Sequence, residues 1–215
     1  QKEHTSIPFF SLDKNIVGKS INSKLNKITK YLKKNKCDYI FISAPENVAW
    51  TLNIRGGDGP NSPIPNSRLI VSKSKKILLI SNLKKCKQLL KKKIIKKEEF
   101  LDVNDLPSKI LHLKGKNFIV DDKSCSIFYE NLIKSKFNII KREDPIYLLK
   151  AIKNKTEINN MINAHILDGV ALTKFLFWIK KINKKKITEV EAAEKLENFR
   201  KLNKNFLYPS FDTIA

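Results

Sequence analysis

At 215 residues, with 41% hydrophobic and 9% aromatic content, the chain can bury a core and is not intrinsically disordered. No uninterrupted apolar run approaches the ~20 residues of a membrane span. The net charge of +22 invites a nucleic-acid reading, but only four of the 43 basic residues are arginine (Arg55, Arg68, Arg142, Arg200). Without arginine forks and interleaved aromatics, lysine clumps such as 91–93 and 184–186 read as a solvated surface of biased composition.

Residues 1–19, with Pro8 and Phe9-Phe10, read as a connection from something upstream. From Ser20, Ile21, Leu25, Ile28 and Leu32 recur at helical spacing. Tyr39–Ser43 is a short buried strand, and Arg68–Val71 and Ile77–Ser81 are two more around a polar turn. A lysine-rich helix from about Leu83 to Lys93 follows, then a strand at Phe100–Val103 and a helix at Leu106–Leu113. Strand Phe118–Asp122, helix Ser126–Lys134 and strand Phe137–Lys141 complete an alternating α/β pattern over residues 20–149, with a largely parallel or mixed sheet.

The pattern changes at Pro145. From Thr156 to about Asn183 apolar residues step by three and four, predicting one long amphipathic helix. Thr188 and Glu191 form a capping-box pattern that starts a second helix running to about Leu202. Phe206–Ala215 reads as an opening strand. Residues 150–215 are therefore expected to begin a second, incomplete domain. The start at Gln1 without methionine and the stop at Thr213-Ile214-Ala215 read as an excerpt of a longer protein.

Chemistry is sparse. There is no phosphate-binding loop spacing, no GxSxG elbow and no HExxH. Cys37, Cys86 and Cys125 are odd in number, far apart and without CxxC, which suits inert thiols in a reducing compartment. His4, His112 and His165 are likewise scattered. His165 and Asp168, at i and i+3, could share a metal, but His165 falls on the apolar stripe and reads as structural. Asp121-Asp122 ends a strand and reads as solvated.

The stretch from Asn47 to Asp58 combines Trp50, Asn53, Arg55, Gly56-Gly57 and Asp58 after a strand. It is either a turn pinned by an Arg55–Asp58 pair with Trp50 in the core, or a substrate- or partner-facing loop in which Trp50, Asn53, Arg55 and Asp58 make the contacts.

This stretch, Glu46-Asn47-Val48-Ala49-Trp50-Thr51-Leu52-Asn53-Ile54-Arg55-Gly56-Gly57-Asp58-Gly59-Pro60-Asn61-Ser62-Pro63, resembles a motif of the three-domain X-prolyl aminopeptidases of the pita-bread metallopeptidase group. A later block agrees in order: Asp144-Pro145-Ile146, Lys150-Ala151-Ile152-Lys153-Asn154, Ala164-His165-Ile166, Asp168-Gly169, Phe199-Arg200 and Ser210-Phe211-Asp212-Thr213-Ile214. The resemblance implies a mixed-sheet creatinase/prolidase N-terminal-like domain followed by the first helices of an α+β pita-bread domain. It also implies a cytoplasmic, homodimeric hydrolase of proline-containing peptides. Two divalent metal ions, manganese in most of the family, activate its water. The family holds its metals with two Asp, one His and two Glu. None of these maps onto this chain, so neither a catalytic nor a metal-binding residue is expected here. The segment itself is expected to be architectural and inactive alone. A non-catalytic relative serving as an interaction module, or a basic nucleic-acid binder, are the competing readings.

Overall fold

The computed structural model describes residues 7–59, 61–182 and 187–211. His4, lysines 184–186 and the block 212–215 lie outside the described residues. The chain divides into two compact units, Gln1–Asn154 and Lys155–Ala215.

In the first unit, β1 (Phe10–Ser11) precedes a single helical turn, α1 (Lys14–Val17), and helix α2 (Ile21–Lys34). Part of the segment read as a connection is thus built into this unit, with Phe9 fully buried. Ser20 caps α2 by accepting from the Ser23 N–H at 3.2 Å. Leu25, Ile28 and Leu32 fall on its buried face, while lysines 27, 30, 33 and 34 face solvent. Next come β2 (Tyr39–Ile42), α3 (Pro45–Leu52), β3 (Ile54–Arg55), β4 (Arg68–Ser72), β5 (Ile77–Ser81) and α4 (Leu83–Lys91). The unit closes with β6 (Phe100–Asp102), α5 (Leu106–His112), β7 (Asn117–Val120), α6 (Ile127–Lys134), β8 (Asn138–Lys141) and α7 (Ile146–Ala151).

The six-stranded sheet runs β6-β5-β4-β2-β7-β8. The β2–β4 and β4–β5 pairs are antiparallel, and β5–β6, β2–β7 and β7–β8 are parallel, so the sheet is mixed. Its strands read as near-continuous apolar runs because both faces are covered. Ile40, Ile42, Leu69, Val71, Leu79 and Ile119 point into one core with α2, α3, α4 and α7. The alternate residues Phe41, Ile70, Ile80, Phe118 and Val120 point into a second core with α5 and α6. This period-2 division makes a three-layer sandwich. A separate two-stranded ribbon pairs β1 with β3.

After β2 the local structure departs from expectation. Residues 45–52, read as part of a turn or loop, form a helix. Pro45 sits in its first turn, where a missing N–H costs nothing, and Val48, Ala49 and Leu52 bury its inner face. Asn53, left-handed at φ 53°, stops it.

In the second unit, α8 (Lys155–Lys181) and α9 (Glu189–Lys201) pack together. The predicted capping box is present: the Glu191 N–H donates to Thr188 Oγ1 at 3.2 Å, and the Thr188 N–H donates to Glu191 Oε2 at 2.7 Å. Asp168 accepts two bonds from Arg200, at 2.6 and 3.3 Å, and joins the helices. Residues 206–211 form bends and coil, so the described part of the expected final strand is not a strand. His165, Asp168 and Lys174 interrupt α8, yet one 18-residue window reaches a mean hydropathy of 1.2. By length and composition α8 is long and apolar enough to cross a membrane, although its apolar residues form no unbroken run. Ile162, Ile166, Val170, Leu176 and Phe177 are among its exposed side chains.

Candidate functional site

The turn after α3 is organised around a buried lysine. Lys24, on α2, is only 2% exposed. Its ammonium donates to the Trp50 carbonyl at 2.6 Å and to Asn53 Oδ1 at 2.5 Å, and lies 4.2 Å from the centre of the Trp50 ring. The Trp50 carbonyl belongs to the last turn of α3, where carbonyls lack helical partners and the dipole favours a cation. The indole face adds a cation–π contact. Asn53 Nδ2 donates to the Lys19 carbonyl at 3.0 Å, and the Asn53 carbonyl accepts from the Leu12 N–H at 2.8 Å. Asn53 therefore ties α2, β1 and the end of α3 together.

Arg55 and Asp58 go separate ways. Arg55 Nη1 donates to the Ile54 and Ala49 carbonyls at 2.9 and 3.4 Å, the second again at the end of α3. Asp58 forms its ion pair with Lys85 on α4 and accepts from the Asn66 N–H at 2.5 Å. The expected Arg55–Asp58 pin is thus replaced by an Asp58–Lys85 pin between the loop and α4. Gly56 is required by close approach: a Cβ there would lie 2.8 Å from the Phe9 ring and 2.9 Å from Pro65 Cα. The structure brings Trp50 and Asn53 together on Lys24 and leaves Arg55 and Asp58 on other partners. Trp50 is half-buried, and its buried Nε1 has no hydrogen-bond partner among the described residues.

A buried carboxylate pair escaped the sequence reading. Asp121 and Asp144 are each only 2% exposed, so Asp121 is not the solvated carboxylate expected from its position, whereas Asp122 is exposed. Asp121 Oδ2 accepts from the Asp144 N–H at 2.9 Å and its Oδ1 from the Lys123 N–H at 3.0 Å. Asp144 accepts from the Ile146 N–H at 2.9 Å and from Asn47 Nδ2 at 2.8 Å, joining the start of α7 to α3. Loss of hydration pushes the Asp144 carboxyl up to about 6, with the Asp121 charge acting in the same direction and the two donated hydrogen bonds opposing it. Asn47 Oδ1 is buried and has no hydrogen-bond partner among the described residues. The available signal was Asp144-Pro145, an acid one residue before a helix-starting proline.

Neither pair forms a reaction centre. Among the described residues no three His, Cys, Asp or Glu side chains gather as a metal site. The oxygens of Asp121 and Asp144 already accept the N–H groups just described, so this donor set does not fit a dinuclear centre. His165 Nδ1 lies 2.8 Å from the Met161 carbonyl within its own helix, while Asp168 is engaged by Arg200, so the two do not share a ligand position. Burial pushes the Cys86 thiol up to about 12 and the Cys125 thiol to about 11, which keeps both protonated.

Comparison with known proteins complements this geometry. The Creatinase/Prolidase N-terminal domain family matches residues 1–157. Xaa-Pro aminopeptidase 1 of Dictyostelium discoideum is 35% identical over 226 residues, covering 99% of this chain and 35% of that protein. Xaa-Pro aminopeptidase ApepP of Drosophila melanogaster is 30% identical over 223 residues, covering 100% and 36%. The chain therefore spans about a third of the length of these relatives. The crystal structure of X-prolyl aminopeptidase from Caenorhabditis elegans, described as a cytosolic enzyme with a di-nuclear active site, superimposes with a TM-score of 0.82. It is 26% identical, and the match covers 97% of this chain and 35% of that one.

Proposed function

The chain belongs to the creatinase/prolidase N-terminal domain family, and on that footing we propose that it is the scaffold portion of an Xaa-Pro aminopeptidase. The observation that carries this reading is the 35% identity to an Xaa-Pro aminopeptidase over 99% of the chain, rather than a match to one short motif. The whole protein releases the N-terminal residue of peptides with proline in second position. It works in the cytoplasm as a homodimer.

Two divalent metal ions, manganese in this proposal, supply an activated water and stabilise the developing oxyanion when bound. Their ligands come from the rest of the longer polypeptide, and this segment is inactive alone. The first unit, through Asn154, forms the α/β middle domain and includes β1 and α7, which the expected 20–149 boundaries left out or cut. The second unit, from Lys155, opens the catalytic domain.

The chain's own residues act by holding shape. The sheet packs a core on each face, and Lys24, Asn53 and the Asp58–Lys85 pair tie down the loop that follows α3. The exposed apolar side chains of α8 call for cover. With His165, Asp168 and Lys174 along the same helix, that cover is protein rather than lipid.

The test is hydrolysis of a short Xaa-Pro-Xaa peptide by the full-length protein, before and after chelation and with manganese restored. Proline-dependent cleavage that chelation abolishes and manganese restores is expected. A full-length protein that cleaves no such peptide with any divalent metal would overturn the reading in favour of a non-catalytic relative.

A further inference from the structure

A second concavity of the first unit lies away from the α3 loop. A groove of about 780 Å³ runs between α4 and β6. That volume is within the roughly 300–1,000 Å³ of ordinary ligand sites. Its floor is apolar: Leu83, Leu90, Ile95, Phe100 and Leu101. β6 ends the sheet, so its outer edge has no strand partner among the described residues.

Charge is distributed unevenly around this floor. Between Leu83 and Lys97 the chain carries eight lysines and no carboxylate. Three of them, Lys93, Lys96 and Lys97, line the groove on the segment leading into β6. Asp102 and Asp105 line it where the chain leaves β6. Asp102 is engaged as a cap, accepting from the Asn104 N–H at 3.1 Å and from Asn104 Nδ2 at 3.0 Å. Lys85 on α4 is held by Asp58, whereas Lys93, Lys96 and Lys97 are exposed.

We propose that this groove is a docking site for an extended peptide segment in which apolar residues alternate with carboxylates, laid along the free edge of β6 with its acidic part toward Lys93, Lys96 and Lys97. Edge addition supplies backbone hydrogen bonds, and alternate side chains of the guest reach the apolar floor. A purely electrostatic partner leaves that floor wet, and a flat anionic bilayer cannot enter it. The apolar lining therefore favours a peptide over either of these.

The test uses the full chain at physiological ionic strength with three probes. These are a labelled peptide alternating Glu and Leu, a peptide of the same length and charge alternating Glu and Ser, and vesicles containing phosphatidylserine. Two variants separate floor from rim. Leu83→Asp places a carboxylate in the groove at a side chain that is 46% exposed and outside both cores. Lys96→Glu with Lys97→Glu reverses the rim. The Glu-Leu peptide is expected to bind about tenfold or more tightly than the Glu-Ser peptide, and each variant to weaken it about tenfold. Equal binding of the two peptides, or indifference to Leu83→Asp, would reduce the site to a diffuse basic field and overturn the proposal. So would tighter binding to vesicles than to the Glu-Leu peptide. Far-ultraviolet circular dichroism establishes that both variants are folded. The rim variant decides alone if Leu83→Asp is not.

Discussion

Replacing Asp144 by asparagine tests the buried carboxylate pair most sharply. The Asp144 carboxyl stands at about 6 in the folded chain against an ordinary 3.8. Between those two values the folded state holds a proton that the unfolded state has released. The Asp144 contribution to stability is therefore most favourable below pH 4 and falls as pH rises through 6, after which it is constant. A shift of this size is worth about 3 kcal/mol. In Asp144→Asn the amide oxygen still accepts from the Ile146 N–H. Its Nδ2 can donate to Asn47 Oδ1 once the Asn47 amide turns over, giving that orphaned oxygen a partner. Urea unfolding of both proteins from pH 4 to pH 7.5 reads the effect. The variant is expected to gain on the parent chain steadily as pH rises toward 6, with about 3 kcal/mol separating the two ends of the window. Two curves that stay parallel would show that Asp144 titrates normally, and the account of its burial would be wrong. Asp144→Ala provides the contrast. It strips the partner from the Ile146 N–H and from Asn47 Nδ2, and is expected to destabilise by about 2–4 kcal/mol at pH 4; lacking the same carboxyl, it should run parallel to Asp144→Asn and below it across the pH window.

Two further substitutions probe the loop that follows α3. Lys24→Met keeps the aliphatic stem but leaves the Trp50 carbonyl and Asn53 Oδ1 without the ammonium, and is expected to cost about 2–4 kcal/mol in thermal unfolding. A loss under about 1 kcal/mol would show that the lysine is a bystander. Gly56→Ala drives a methyl into the Phe9 ring and the Pro65 backbone and is expected to cost about 1–3 kcal/mol, whereas an unchanged midpoint would mean that the loop moves aside freely.

The division of labour in the sheet could be read in advance, because a strand covered on both faces leaves an apolar run. Tyr39–Ile42 and Phe118–Val120 show this plainly, with neighbours such as Phe41 and Ile42 then sent to opposite cores. The capping box at Thr188 was equally visible, being a local exchange of hydrogen bonds between two residues three apart. Helix α3 was hidden for a physical reason. Eight residues give barely two turns of periodicity, and Trp50, Asn53 and the following glycines carry the composition of a loop.

Lys24 was hidden because nothing local separates a buried lysine from the solvated ones at positions 27 and 30 on the same helix. Its partners, Trp50 and Asn53, lie 26 and 29 residues away. Asp121 and Asp122 look alike in sequence, yet only the first turns inward, to meet a backbone N–H 23 residues further on. Asp58 could be seen to need a cation, but its choice of Lys85 over the nearby Arg55 depends on where α4 packs. Long-range choices of partner, made after the elements have formed, were the unreadable part of the candidate site.

We propose an Xaa-Pro aminopeptidase that contains this segment as scaffold and not as reaction centre. The most direct measurement compares the 215-residue chain with the full-length protein on one Xaa-Pro-Xaa peptide, each with added manganese. Release of the N-terminal residue by the full-length protein and none by the shorter chain is the predicted result. Proline-dependent cleavage by the 215-residue chain itself would contradict it.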